Sequence, residues 1–84
     1  MAMKFLNVGF GSMVSIDRVV AIISPESSPA KRMIQEARET SRIVDATHGR
    51  KTKSIVVMDS MHLVLSSLQP ETLGARGNAE AKAE

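Results

Sequence analysis

The sequence predicts an α+β protein: a small, mostly antiparallel β-sheet of four to five strands, one main α-helix and a short C-terminal helix. Three observations carry this expectation. Short runs rich in Val and Ile recur between turn signals. One stretch has apolar residues at helical spacing behind a serine and a proline. The chain has only 84 residues, the size of one domain.

The elements follow in order. "KFLNV" alternates loosely around Phe5 and Val8 and reads as a short strand. "GFG", Gly9 to Gly11, bends it as a bulge or tight turn; no GKS or GKT follows, so it is not a phosphate loop. "RVVAIIS", Arg18 to Ser24, is a β-branched run expected to be covered on both faces. "SPESSPAKRMIQEARETSR" holds the helix. Ser28 is the expected cap, Pro29 suits the first turn, and Ala30, Met33, Ile34 and Ala37 share one face. "RIVDAT" and "KSIVVMDS" read as two strands joined across "HGRK", with Gly49 at the turn. "DSMH" turns the chain into a third strand, "HLVLSS", and "QPETLGAR" forms a short helix beginning near Pro70. "GNAEAKAE" is small and polar, the composition of a disordered or frayed end.

Composition narrows the function. There is no cysteine and there are two histidines, which removes disulfides and thiolate metal sites and leaves no convincing zinc set. No metal and no cofactor is expected. Only Phe5 and Phe10 are aromatic, a poor supply for base stacking. A chain this small buries a limited share of its surface, so a shared interface is the expected source of extra stability. No apolar run is long enough for a membrane span, and the N-terminus lacks a signal-peptide pattern, so the expected location is cytoplasmic.

The charge is uneven. Between Ser28 and Lys53 lie Lys31, Arg32, Arg38, Arg42, Arg50, Lys51 and Lys53 against Glu36, Glu39 and Asp45. Such segregation suits an anionic partner, and equally an ordinary solvated surface. Lys31 and Arg32 occupy the first helical turn, where the macrodipole disfavours cations unless an anion lies near. Catalysis has thin support. Asp45, His48 and Ser54 could be written as a triad, but no strained turn presents the serine. Asp59 and His62 are two hard ligands on a turn, poor evidence for a metal. The protein is therefore not expected to be an enzyme or to take a small-molecule substrate. Double-stranded DNA is the anion that a basic loop and a helix flank fit best, with Arg50, Lys51 and Lys53 as loop contacts and Lys31 and Arg32 as further phosphate contacts. One copy would bind weakly; repetition in an oligomer would add avidity.

"SPESSPAKRMIQEARET", "IVDATHGRKTKSIVVMDS" and "LSSLQPET", with the opening "KFLNVGFGSMVS", resemble the RemA family of bacterial extracellular matrix regulators. The resemblance covers about Lys4 to Thr72, giving a single RemA-like domain at 1–73 and an expected disordered tail at 74–84. It implies a nucleoid-associated DNA-binding activator of biofilm matrix genes, working as a closed homo-oligomeric ring that presents basic residues to DNA. By position it marks Arg50 and Lys51 in the loop and Arg18 at a strand start as DNA-binding residues, and Pro29 as important for structure or assembly. Many relatives carry Arg-Arg where this chain has Arg50-Lys51; lysine keeps the charge and loses the planar fork. The alternative is a ring that serves structure or protein interaction without DNA, its cations meeting Asp17, Glu36 or Glu39 between subunits.

Overall fold

The computed structural model describes residues 4–82. Six strands and two helices follow one another as β1 (Phe5–Gly9), β2 (Ser12–Ser15), a 3₁₀ turn (Ile16–Arg18), β3 (Val19–Ile23), α1 (Ser28–Glu39), β4 (Ile43–Asp45), β5 (Ser54–Met58), β6 (Leu63–Ser66) and α2 (Pro70–Lys82). The α+β class stands. The strands form a two-stranded hairpin, β1–β2, and a four-stranded sheet in the order β3-β5-β6-β4. All pairings are antiparallel except β4 with β6.

Alternation along the central strands builds two cores, one on each face. Ile55, Leu63 and Leu65 point to one face and meet Ala30 and Ala37 of α1, with Met33 and Ile34 packed alongside. Val56 and Val64 point to the other, where Leu6 and Val8 of β1 and Leu73 of α2 cover them. The sheet is thus a middle layer between α1 and a second layer made of the hairpin and α2. Ile55 and Val56 are wholly buried, as strand residues covered on both faces must be.

Four sequence expectations change. "RIVDAT" and "KSIVVMDS" do not pair with each other: β4 lies beside β6, and β6 separates it from β5. The hairpin is instead β5–β6, turning through Asp59–His62 with the Met61 N–H bonded to the Met58 carbonyl at 3.0 Å. The run around Val20 is an edge strand rather than a covered one. Pairing with β5 slips between Val19 and Ala21, and Val20 turns outward, 66% exposed. The α1 cap is Ser27, whose Oγ accepts from the Ala30 N–H at 3.2 Å; Ser28 is already helical. The last helix is also longer than expected. It runs on to Lys82, so the stretch from Gly74, expected to be disordered, is helical as far as the described residues go; 83–84 lie outside them. Contact with β1 and β3, and a bond from Arg76 Nη1 to the Asn7 carbonyl at 3.3 Å, hold that stretch despite its glycines.

Candidate functional site

The basic segment 46–53 is a crossover loop held at both ends by β6. The Ala46 N–H bonds the Leu65 carbonyl at 2.9 Å, and the Lys53 N–H bonds the Ser66 carbonyl at 2.8 Å. Adjacent residues of one buried strand thus fix where the loop leaves and returns. Inside it, Asp45 Oδ1 accepts from the Thr47 hydroxyl at 2.6 Å and the Thr47 N–H at 2.9 Å. These bonds, the hydroxyl first, hold the Asp45 carboxyl below the usual carboxylate range, and the nearby Arg38 and His48 add to the effect. The chain then reverses at His48 (φ 53°) and Gly49 (φ 82°), closed by the Arg50 N–H on the Thr47 carbonyl at 3.1 Å. Positive φ at both central residues is the mark of a type I′ turn, which explains a glycine there.

Arg50, Lys51 and Lys53 emerge from this turn exposed to solvent. Among the described residues, none of the three pairs with a carboxylate. They share a surface hollow of about 480 Å³ with Phe10, Ser67 and Leu68. A second groove, also about 480 Å³, brings Lys51 and Lys53 together with Lys31 at the start of α1, with Pro70 and Glu71 at the start of α2, and with Glu26. Four of the six sequence-selected residues (Arg50, Lys51, Lys53 and Lys31) therefore gather at one end of the sheet. Arg32 is exposed on α1 and lines neither hollow.

Arg18 sits elsewhere. It precedes β3 at the other end of β5, where its Nη1 meets Asp59 Oδ2 at 3.3 Å. The rise from Lys53 to Asp59 separates the two ends by roughly 20 Å. The triad and metal arrangements do not assemble. The Ser54 hydroxyl is buried and donates to the Leu68 carbonyl, Asp45 is engaged by Thr47, and His48 turns away against Phe10. His62 Nδ1 bonds the Ser60 hydroxyl at 2.8 Å while Asp59 holds Arg18. No helix among the described residues is long and apolar enough to cross a membrane.

Sequence reasoning missed Phe10. The β1–β2 tip places its ring centroid 4.8 Å from that of His48 and 5.1 Å from the Arg50 guanidinium carbon. Two turns far apart in the chain meet there, so no local pattern could signal the contact. A second missed pair is Ser54 and Ser66, in register across β5–β6 and both fully buried. The Ser66 hydroxyl donates to the Val8 carbonyl at 2.7 Å and accepts from the Leu68 N–H at 3.1 Å. It ties the hairpin tip to the end of the sheet that carries the cations.

What the residues define is a small α+β domain with a rigidly framed basic loop. Residues 5–76 match the RemA-like family, described as Extracellular matrix regulatory protein A-like. The chain is 57% identical over 76 residues to a protein of Geobacillus kaustophilus, spanning 90% of this chain and 87% of that one. It is 58% identical over 78 residues to proteins of Bacillus cytotoxicus and Bacillus mycoides, spanning 93% of this chain and 90% of each. All three carry the name "Putative regulatory protein". The chain belongs to the RemA-like family.

Proposed function

We propose that this protein is a DNA-binding transcriptional regulator, an activator of matrix genes of the kind the family name describes, that works as a ring-shaped homo-oligomer in the cytoplasm, on the nucleoid. The observation that carries the reading is the loop. Arg50, Lys51 and Lys53 stand together on a loop clamped at both ends, and among the described residues none of them is ion-paired. Cations so presented suit phosphate contacts, which release condensed counterions. Lys31 lines the same groove as Lys51 and Lys53, where three cations outnumber Glu26 and Glu71. Arg18 contributes from the far end of the sheet, and Arg32 from the flank of α1.

Self-assembly has its own support. Val20 and Val44 are exposed on β3 and β4, the two opposite edges of the four-stranded sheet. Different patches on opposite sides favour head-to-tail contacts, which close into rings when the rotation allows. Light scattering tests this: a mass several times 9.1 kDa is expected, and a monomer across the micromolar range sinks it. Duplex-DNA retention measured over a salt series tests the rest. Affinity falling linearly with the logarithm of salt is expected. An assembled ring that ignores DNA at low salt would establish the structural or protein-interaction alternative.

A further inference from the structure

We infer that Phe10 is a positioning residue for Arg50: the ring at the hairpin tip holds the guanidinium in the orientation in which it meets phosphate. This rests on the DNA-binding reading above and goes beyond it by assigning a residue outside the basic loop.

The backbone around Phe10 gives the first reason. Gly9, Phe10 and Gly11 all have positive φ, 112°, 53° and 78°. Glycines adopt this region freely; a bulky aromatic does so rarely and at a cost. Core burial does not compensate, because Phe10 is 50% exposed. What the ring gains is the loop: His48 at 4.8 Å with the planes tilted by 37°, and the Arg50 guanidinium carbon over its face at 5.1 Å. The chain has only two aromatic residues, and one of them stands beneath a loop cation.

The tip is fixed where this requires it. The Val8 carbonyl accepts the Ser66 hydroxyl, and the Gly9 N–H bonds Asn7 Oδ1 at 2.7 Å. The same strand, β6, holds both ends of the basic loop. Ring and guanidinium are therefore referenced to one rigid element. An arginine on an exposed turn samples many rotamers, and each must be given up on binding. Stacking on a ring face narrows them in advance and leaves the N–H edge free for an anion. Lysine at position 51 lacks the planar group that such stacking favours, so Arg50 is the cation for which the ring matters.

The test crosses Phe10 with Arg50 in the full chain. Phe10→Leu should weaken duplex-DNA binding about three- to tenfold at fixed salt, with oligomer mass and unfolding midpoint unchanged. Phe10→Tyr should keep wild-type binding. In an Arg50→Ala background, measured at low salt where binding persists, Phe10→Leu should have no further effect. An equal loss in both backgrounds would mean that Phe10 does not act through Arg50, and wild-type binding by Phe10→Leu would overturn the proposal outright. NMR relaxation of the Arg50 Nε–H bond in free protein gives a readout without DNA. Phe10→Leu should make that bond more mobile, and an unchanged order parameter also overturns the proposal. If the wild type shows no salt-dependent DNA binding while the Arg50 bond still loosens, the DNA reading fails and the positioning contact stands.

Discussion

Strand β5 carries cations beyond both ends, and the two ends treat them differently. At the Asp59 end, Arg18 has a carboxylate partner at 3.3 Å, both side chains largely in water. The arrangement is a neutralised surface pair, worth at most about 1 kcal/mol. At the Ser54 end, Arg50, Lys51 and Lys53 form no ion pair among the described residues, although Glu26 and Glu71 line the groove with Lys51 and Lys53. They have instead a framework: two backbone bonds to β6, an Asp45–Thr47 clamp, a type I′ turn and an aromatic ring. The lesson is that a cation available to an outside anion needs its geometry supplied by something other than an opposite charge. Hydrogen bonds and ring contacts can do so without cancelling the field.

The largest effect expected from this contrast is on DNA. Arg50→Ala with Lys51→Ala should lower affinity at least tenfold and flatten the salt slope in proportion to the phosphates left without a cation, while Arg18→Ala should change both far less. Filter binding across a salt series measures this, and equal losses at the two ends would break the comparison. Next comes the frame. Ser66→Ala strips the Val8 carbonyl and the Leu68 N–H of their buried partner and should cost about 1–3 kcal/mol by urea unfolding. Ser27→Ala removes the α1 cap, at about 1 kcal/mol, whereas Ser28→Ala should cost much less. A larger loss from Ser28→Ala would move the cap back to the position expected from sequence.

The smallest effects concern the acids. Asp59→Asn should shift the unfolding midpoint only slightly, since its pair with Arg18 is exposed. Asp45 differs in kind. Its folded carboxyl lies below the usual range because of Thr47, so its contribution is present above the unfolded value and is lost as pH falls through the folded one. Thr47→Val should raise the Asp45 titration, followed by carboxyl NMR, and weaken that acid-side dependence. An unmoved titration would show that the hydroxyl is not the clamp.

Much of the fold is legible in the sequence because burial writes itself into periodicity. The β-branched runs form β3, β5 and β6, and Ala30, Met33, Ile34 and Ala37 do turn one face of α1 to the core. Pairing is not legible. His48-Gly49 is locally a hairpin signal, and the turn it predicts is there, but β4 takes its partner from β6. "SMVS" gives no strand signal, because Met13 faces solvent and the flanking serines offer no apolar alternation. Ser27 and Ser28 are chemically the same cap, and only the backbone distinguishes them. Of the site, the cations can be read as charges in sequence. Their company cannot, because Lys31 and Phe10 reach the loop through tertiary packing.

The parallel pairing of β4 with β6 also sets an order of events. The loop's first half leaves β4, yet both of its anchors, the Leu65 and Ser66 carbonyls, lie later in the chain. A growing chain therefore contains Arg50, Lys51 and Lys53, with their local turn, before the two β6 carbonyls that anchor the loop's ends. The β5–β6 pairing is local in sequence and the β4–β6 pairing is not, so the hairpin is expected to form before β4 docks. The basic loop gains both of its anchors only once synthesis has passed Ser66, which separates the moment when the charge exists from the moment when it is framed.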